Sequence, residues 1–342
     1  MFPKITSPDF ELAPALQARL NGLAKPPGSL GRIEDLALRL GLIQSSLTPT
    51  AERALLLVFA GDHGLTQDGV SSYPASVTMA MVATFLAGKA SANAFARISG
   101  TDVRVVDAGV VGDVPAHPNL IQAKVRRGTR NAAREAAMTS AEVEQALKSG
   151  IDIAVQAAAE GFDTFALGEM GIGNSASASL IMHRLTGFEL RQCVGRGAGH
   201  DEKGLAHKLA VLERAAARTS VTTPMDVLAE FGGCEIAMMA GAVLGAAAAR
   251  RVVIVDGFIS SAAALAAIRL DSAAAEYCVF SHCSAEAGHA RMLEALNVKP
   301  LVQLDLRLGE GTGALLAIPL VRAAAKLLSD VATLDDVIAG RL

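Results

Sequence analysis

The chain has no tryptophan, and aromatic residues make up only 4% of it. Its core therefore cannot be assembled around large rings. Hydrophobic residues still account for 51% of the 342 positions, so the core must be Ala, Leu, Val and Ile, and small side chains let helices lie close on a sheet. There is no surplus of charge. Lys and Arg number 31 against 34 Asp and Glu, which argues against a general nucleic-acid binder with its basic face. Cysteine is scarce. Cys193, Cys234, Cys278 and Cys283 include no CxxC pair, and no HExxH motif occurs, so no metal site is expected. Reduced thiols in a cytoplasmic protein are the plain reading. The first residues, MFPKITSPDFELAP, lack the apolar segment of a secretory signal. The longest apolar run, 236–249, ends at Arg250 and Arg251. It falls short of the ~20 residues a membrane crossing needs, and reads as a helix buried against a sheet.

What is present alternates. Apolar runs at 54–60, 103–107, 163–168, 251–256, 276–281 and 301–306 read as buried strands. Helix-like stretches at 76–98, 138–160, 175–186, 234–249, 261–269 and 285–296 separate or follow them. Such alternation predicts an α/β fold with a mostly parallel six-stranded sheet covered on both faces. The chain ends differ: 8–22 and 30–45 read as helices with no strand between them, and 314–342 is mainly helical with a turn near Asp330. The expected organisation is a catalytic α/β domain over 49–313 and a small helical domain assembled from 1–48 and 314–342. The stretch 111–131 reads as a long surface loop carrying Lys124, Arg126, Arg127 and Arg130. That basic cluster is either a solvated patch or a contact for a subunit or an anionic ligand.

In open α/β sheets, ligands bind beyond the carboxyl ends of the strands. Here those ends carry Gly61-Asp62-His63-Gly64, Asp107-Ala108-Gly109, Glu169 through Asn174, Asp256-Gly257, His282-Cys283-Ser284 and Arg307 through Gly313. Glu169 and Glu310 each sit among glycines, where a carboxylate in a dry pocket can have its pKa raised and act as a base. Gly171-Ile172-Gly173 and Gly195-Arg196-Gly197 each precede a helix, a place where free N–H groups can meet phosphate. Neither is a Walker A motif or a complete dinucleotide fingerprint. No GxSxG elbow is present for a serine hydrolase, so His63 and His282 read as hydrogen-bonded residues that shape their loops.

Taken in order, these motifs resemble one family along nearly the whole chain. KPPGSLGRIEDLA (25–37), FAGDHG (59–64), GVSSYP (69–74), VVDAGV (105–110), GEMGIGNS (168–175), VGRGAG (194–199), FGGCEIAMMAGA (231–242), VIVDGF (253–258), SHCSAEAGH (281–289) and LDLRLGEGTGA (304–314) are similar to the nicotinate-nucleotide–dimethylbenzimidazole phosphoribosyltransferases. The resemblance implies a Rossmann-like sheet, a small helical domain from both chain ends, a homodimer, and no metal or organic cofactor. It implies transfer of the phosphoribosyl group of nicotinate mononucleotide to 5,6-dimethylbenzimidazole, giving α-ribazole 5′-phosphate and nicotinate for the lower ligand of cobalamin. Neither a nucleic acid nor a membrane is an expected partner. By the same resemblance Glu310 is the catalytic carboxylate and Glu169 a second active-site carboxylate. Gly171, Gly173, Gly197, Lys208 and Ser284 hold the phosphate and ribose, and Ser72, Met81 and Leu308 surround the base. Many members carry a Gln two residues before the Met-Val pair of the first helix after GVSSYP. Here Met79 and Ala80 precede Met81 and Val82, with no Gln nearby, which implies a more permissive base pocket.

Overall fold

A computed structural model describes residues 3–341, Ala198 excepted. Six strands form one sheet: β1 (Ala54–Gly61), β2 (Asp102–Gly109), β3 (Leu120–Gln122), β4 (Thr164–Met170), β5 (Val252–Val255) and β6 (Cys278–Phe280). Their order is β3-β2-β1-β4-β5-β6 and every pairing is parallel. β1 is buried along its full length, as a central strand covered on both faces must be. Strand order reverses at β1, whose neighbours β2 and β4 lie on opposite sides. The reversal opens a crevice at the carboxyl edge, where this architecture takes its ligands.

Five expected strands are present, and one is not. Segment 301–306 forms no strand; its pairing is a single parallel bridge, Val302 to His282. Gln303, Leu304 and Asp305 are exposed, and Asp305 takes φ +52°, outside the extended region. The apolar letters there form a lip over the sheet edge. The sixth strand is β3, three residues inside the stretch read as loop, too short to register as an apolar run. The basic cluster of that stretch is spent on its own framework. Lys124 donates to the carbonyls of Val110 and Gly112 and pairs with Asp107, while Arg130 pairs with Glu142.

The apolar run 236–249 is the buried helix Cys234–Ala248. It lies so tightly on Ser140–Ala159 that a Cβ at Gly150 would stand 1.9 Å from the Met238 carbonyl oxygen. Thr139 and Glu142 start Ser140–Ala159 with a reciprocal capping box. The expected helix 76–98 is broken into Ser76–Leu86 and Ser91–Ser99, with Gly88 left-handed between them. Asn93 accepts the Ala90 N–H and so starts the second piece.

The chain ends meet. Leu23 bridges Thr333, Ala24 N–H donates to Ala332, and Leu334 N–H donates to Gly22. Helix Arg32–Gln44 packs on helix Thr312–Asp330. The latter is 19 residues long and apolar enough by composition to cross a membrane, but most of that stretch is buried in the protein. All four cysteines are free. Burial pushes the Cys193 and Cys278 thiols up to about 12, so neither is a nucleophile at neutral pH.

Candidate active site

A cavity of about 470 Å³ opens beyond the carboxyl ends of β4, β5 and β6. Helices Asn174–Thr186, Phe258–Leu270 and Thr312–Asp330 all start beside it. A helix amino terminus suits an anion; at Thr312–Asp330 that anion is Asp256, which accepts the Gly311 and Ala314 N–H groups.

Three buried carboxylates face it: Glu169 from β4, Asp256 just past β5, and Glu310 from the loop before Thr312–Asp330. Burial pushes Glu169 up to about 8, assisted by the negative charges of Asp256 and Glu235 and opposed by a hydrogen bond from Asn174. Burial likewise pushes Asp256 up to about 7, against backbone N–H donors that include Ala314 and Gly311. These bonds tie Asp256 to the amino terminus of Thr312–Asp330 and fix where the Glu310 loop stands.

Glu310 sits in a strained turn. Gly309, Glu310 and Gly311 have φ of +87°, +62° and +81°, a region that a residue with a Cβ rarely enters without compensation. A Cβ at Gly309 would lie 2.2 Å from Glu169 Oε1, so only glycine lets the two glutamates share the cavity. Glu310 is 6% exposed, and burial raises its pKa. Its opposing partner is the Ala92 N–H, 3.4 Å from Oε2, at the start of Ser91–Ser99. The helix break at 87–90 thus delivers a helix amino terminus to this carboxylate.

Eight of the ten residues named from the sequence line the cavity: Glu169, Glu310, Gly171, Gly173, Gly197, Ser284, Met81 and Leu308. Lys208 and Ser72 do not. Lys208 is fully buried behind the glycine loop, where Nζ donates to Ser175 Oγ at 2.9 Å and to the Gly195 carbonyl at 3.1 Å. Burial lowers its pKa to about 8. Ser72 is exposed at the rim, its Oγ 3.1 Å from His200 Nδ1. Other wall residues, given no individual role from the sequence, include Asp256, Asn174, Ser175, Glu286 and Arg307. Asp256, Asn174 and Arg307 were signalled by their places at strand ends; Glu286 lay inside SHCSAEAGH (281–289), with nothing to mark its contact with Gly197.

The two strand-end histidines differ. His63 is buried away from the cavity wall, with Nδ1 2.9 Å from Ser177 Oγ and Nε2 2.6 Å from Glu235 Oε1. Burial disfavours its charged form, yet Glu235 outweighs burial and raises its pKa. His282 lines the cavity, and burial lowers its pKa. Among the described residues no cluster of His, Cys, Asp and Glu is arranged to hold a metal ion.

Known proteins align with this chain from end to end. A phosphoribosyltransferase family model matches residues 5–338. A protein of Cupriavidus necator named nicotinate-nucleotide–dimethylbenzimidazole phosphoribosyltransferase is 51% identical over 97% of this chain and 96% of its own. One of Deinococcus radiodurans with the same name is 47% identical over 96% of this chain and 92% of its own. The crystal structure of CobT from Thermus thermophilus superposes with a TM-score of 0.92 at 43% identity, covering 96% of this chain and 98% of that one.

Proposed function

The chain belongs to the nicotinate-nucleotide–dimethylbenzimidazole phosphoribosyltransferase family, and from that premise we propose that it moves the phosphoribosyl group of nicotinate mononucleotide onto 5,6-dimethylbenzimidazole. The observation that carries this reading is the pairing of Glu169 and Glu310 across Gly309 in one cavity of about 470 Å³. A ring-sized acceptor and a ribosyl phosphate can meet in a space of that order.

The chemistry asks little of the leaving group. Nicotinate on ribose is a pyridinium, so it departs as a neutral ring nitrogen and needs no proton. The acceptor nitrogen attacks the anomeric carbon from the opposite face, inverting it to the α linkage. The acceptor's other ring N–H must then be given up, and Glu310 takes that proton. Glu169 faces the developing positive charge of the ribosyl ring. The turn of Gly171 and Gly173, with Gly197 and Ser284, receives the phosphate; Lys208 supports the glycine loop from behind. Met81 and Leu308 flank the base, with Ser72 at the rim. No cofactor enters this scheme. We propose further that the enzyme works as a cytoplasmic homodimer. The helices of the two chain ends (1–48 and 314–342) form its small domain, and the helix Thr312–Asp330 leads into it directly from the site.

Proton uptake and release test the role of Glu169. In the empty site this carboxyl is held near 8 and is mostly protonated at pH 7. A bound pyridinium favours its charged form, so its pKa falls in the complex. Nucleotide binding therefore releases protons at pH 7 and weakens as pH falls below about 8. Calorimetry in buffers of different ionisation enthalpy should show net release from the wild type and less from Glu169→Gln; equal release from both removes Glu169 from this role.

The acceptor is tested by competition. Met side chains adapt to different rings, and each methyl contact contributes only ~1 kcal/mol. A pocket flanked by Met81 and Leu308 should prefer 5,6-dimethylbenzimidazole modestly, by about tenfold or less per methyl, and also accept benzimidazole. Exclusive use of adenine, or refusal of every benzimidazole, would show that the acceptor is wrong.

A further inference from the structure

Glu286 is a charged residue on the cavity wall with no part in the scheme above. Glu286 lies beyond β6, half-buried. Its carboxylate accepts the Gly197 N–H with both oxygens, at 3.0 and 3.2 Å. It presses so closely on the glycine loop that a Cβ at Gly195 would stand 2.2 Å from Oε1. Its negative charge also acts on Lys208, favouring the ammonium form against burial. The glycine-loop N–H that suits a phosphate is thus already engaged by an anion of the chain itself.

The backbone that carries Glu286 is fixed. Its own N–H donates to Ser284 Oγ at 3.1 Å, and the Ser284 N–H donates to His289 Nδ1 at 2.8 Å. His289 Nε2 lies 2.9 Å from Ser261 Oγ. Burial pushes His289 down to about 3, so the ring is neutral, accepting at Nδ1 and donating at Nε2. Ser284 is held by this chain of bonds, whereas among the described residues the half-buried Glu286 side chain bonds to the Gly197 N–H alone. Carboxylate and phosphate ask for the same donors, and two anions cannot share one N–H without strong repulsion.

We propose that Glu286 is a specificity-determining residue of the phosphate site: its carboxylate holds the glycine-loop donor when the site is empty, and an incoming phosphate must displace it. The inference rests on the proposed placement of the phosphate at Gly197 and Ser284, with Lys208 behind the glycine loop. Its consequence is discrimination. A free phosphate ion has only its own contacts with which to displace Glu286. A phosphate attached to a ribose and a pyridinium ring draws on the binding of the whole molecule. The site therefore excludes inorganic phosphate while admitting the nucleotide.

Inorganic phosphate is the probe, measured as a competitive inhibitor against nicotinate mononucleotide. Glu286→Gln keeps an oxygen that can accept the Gly197 N–H but removes the charge. Its inhibition constant for phosphate should fall about tenfold, the factor equivalent to one pKa unit of charge interaction. Glu286→Asp, which keeps the charge on a shorter arm, should give a smaller fall, and thermal melts check that both variants fold. Lys208→Met separates this inference from its premise. Weaker phosphate inhibition in Lys208→Met, with no change or a rise in the constant for Glu286→Gln, overturns the role of Glu286 and leaves the phosphate placement standing. No change in either variant overturns both.

Discussion

Glu310→Gln should fold as the wild type does and lose most of its turnover, by about 10²–10⁴-fold, the range for a positioned general base. The substitution keeps volume and one acceptor for the Ala92 N–H, so the turn at 309–311 keeps its shape. What disappears is the capacity to take the acceptor's ring proton. The loss should fall on kcat, with the KM for nicotinate mononucleotide little changed, because the carboxylate acts on the other substrate. The pH dependence adds a second check. Burial raises the Glu310 pKa above the usual carboxylate range, so wild-type kcat at saturating substrates should fall on the acid side as this group takes up its proton. The residual activity of Glu310→Gln should lack that limb. A folded variant with near-wild-type turnover across pH would remove Glu310 from the role.

Gly309→Ala should be nearly as damaging without altering any ionisable group. The backbone there has φ +87°, and the new Cβ would stand 2.2 Å from Glu169 Oε1. Either the turn shifts and carries Glu310 with it, or Glu169 leaves its position. A displacement on the scale of 1 Å at a reacting group costs roughly 10²-fold. The same exchange at Gly187, also left-handed but with open space where its Cβ would go, strains the chain at the end of helix Asn174–Thr186 opposite the cavity. It should cost stability with far less loss of turnover. Steady-state rates of the two variants, beside their melting temperatures, check the contrast; equal losses of turnover would show that strain alone, and not the spacing of the glutamates, is being measured.

The sheet and its ligand-bearing edge were legible because buried parallel strands are apolar along their length, as β1 is, and glycines and acids collect where they end. Segment 301–306 misled because its apolar letters are only partly buried, with Leu304 exposed, along a lip that bridges His282, just past β6, at a single point instead of extending the sheet. β3 escaped notice because three residues carry no pattern. The break between Ser76–Leu86 and Ser91–Ser99 falls at Gly88, and a single glycine inside a helical pattern does not by itself end the helix; with the break went the Ala92 N–H that meets Glu310 from far away in sequence. Lys208 was legible as a member of the phosphate region but not as a group behind the loop, since which way a helix presents a lysine depends on packing. Glu286 was legible only as one letter of SHCSAEAGH (281–289); its hydrogen bonds to Gly197 give it a place in the site.

The most direct test of the central claim is the product itself. Purified protein incubated with nicotinate mononucleotide and 5,6-dimethylbenzimidazole should release nicotinate and form one new ribosyl phosphate in equal amounts. Mass spectrometry should give the mass of ribazole phosphate, and proton NMR should show the α anomer. Nicotinate release with water as the only acceptor, a product of β configuration, or no product from a folded enzyme would contradict the account.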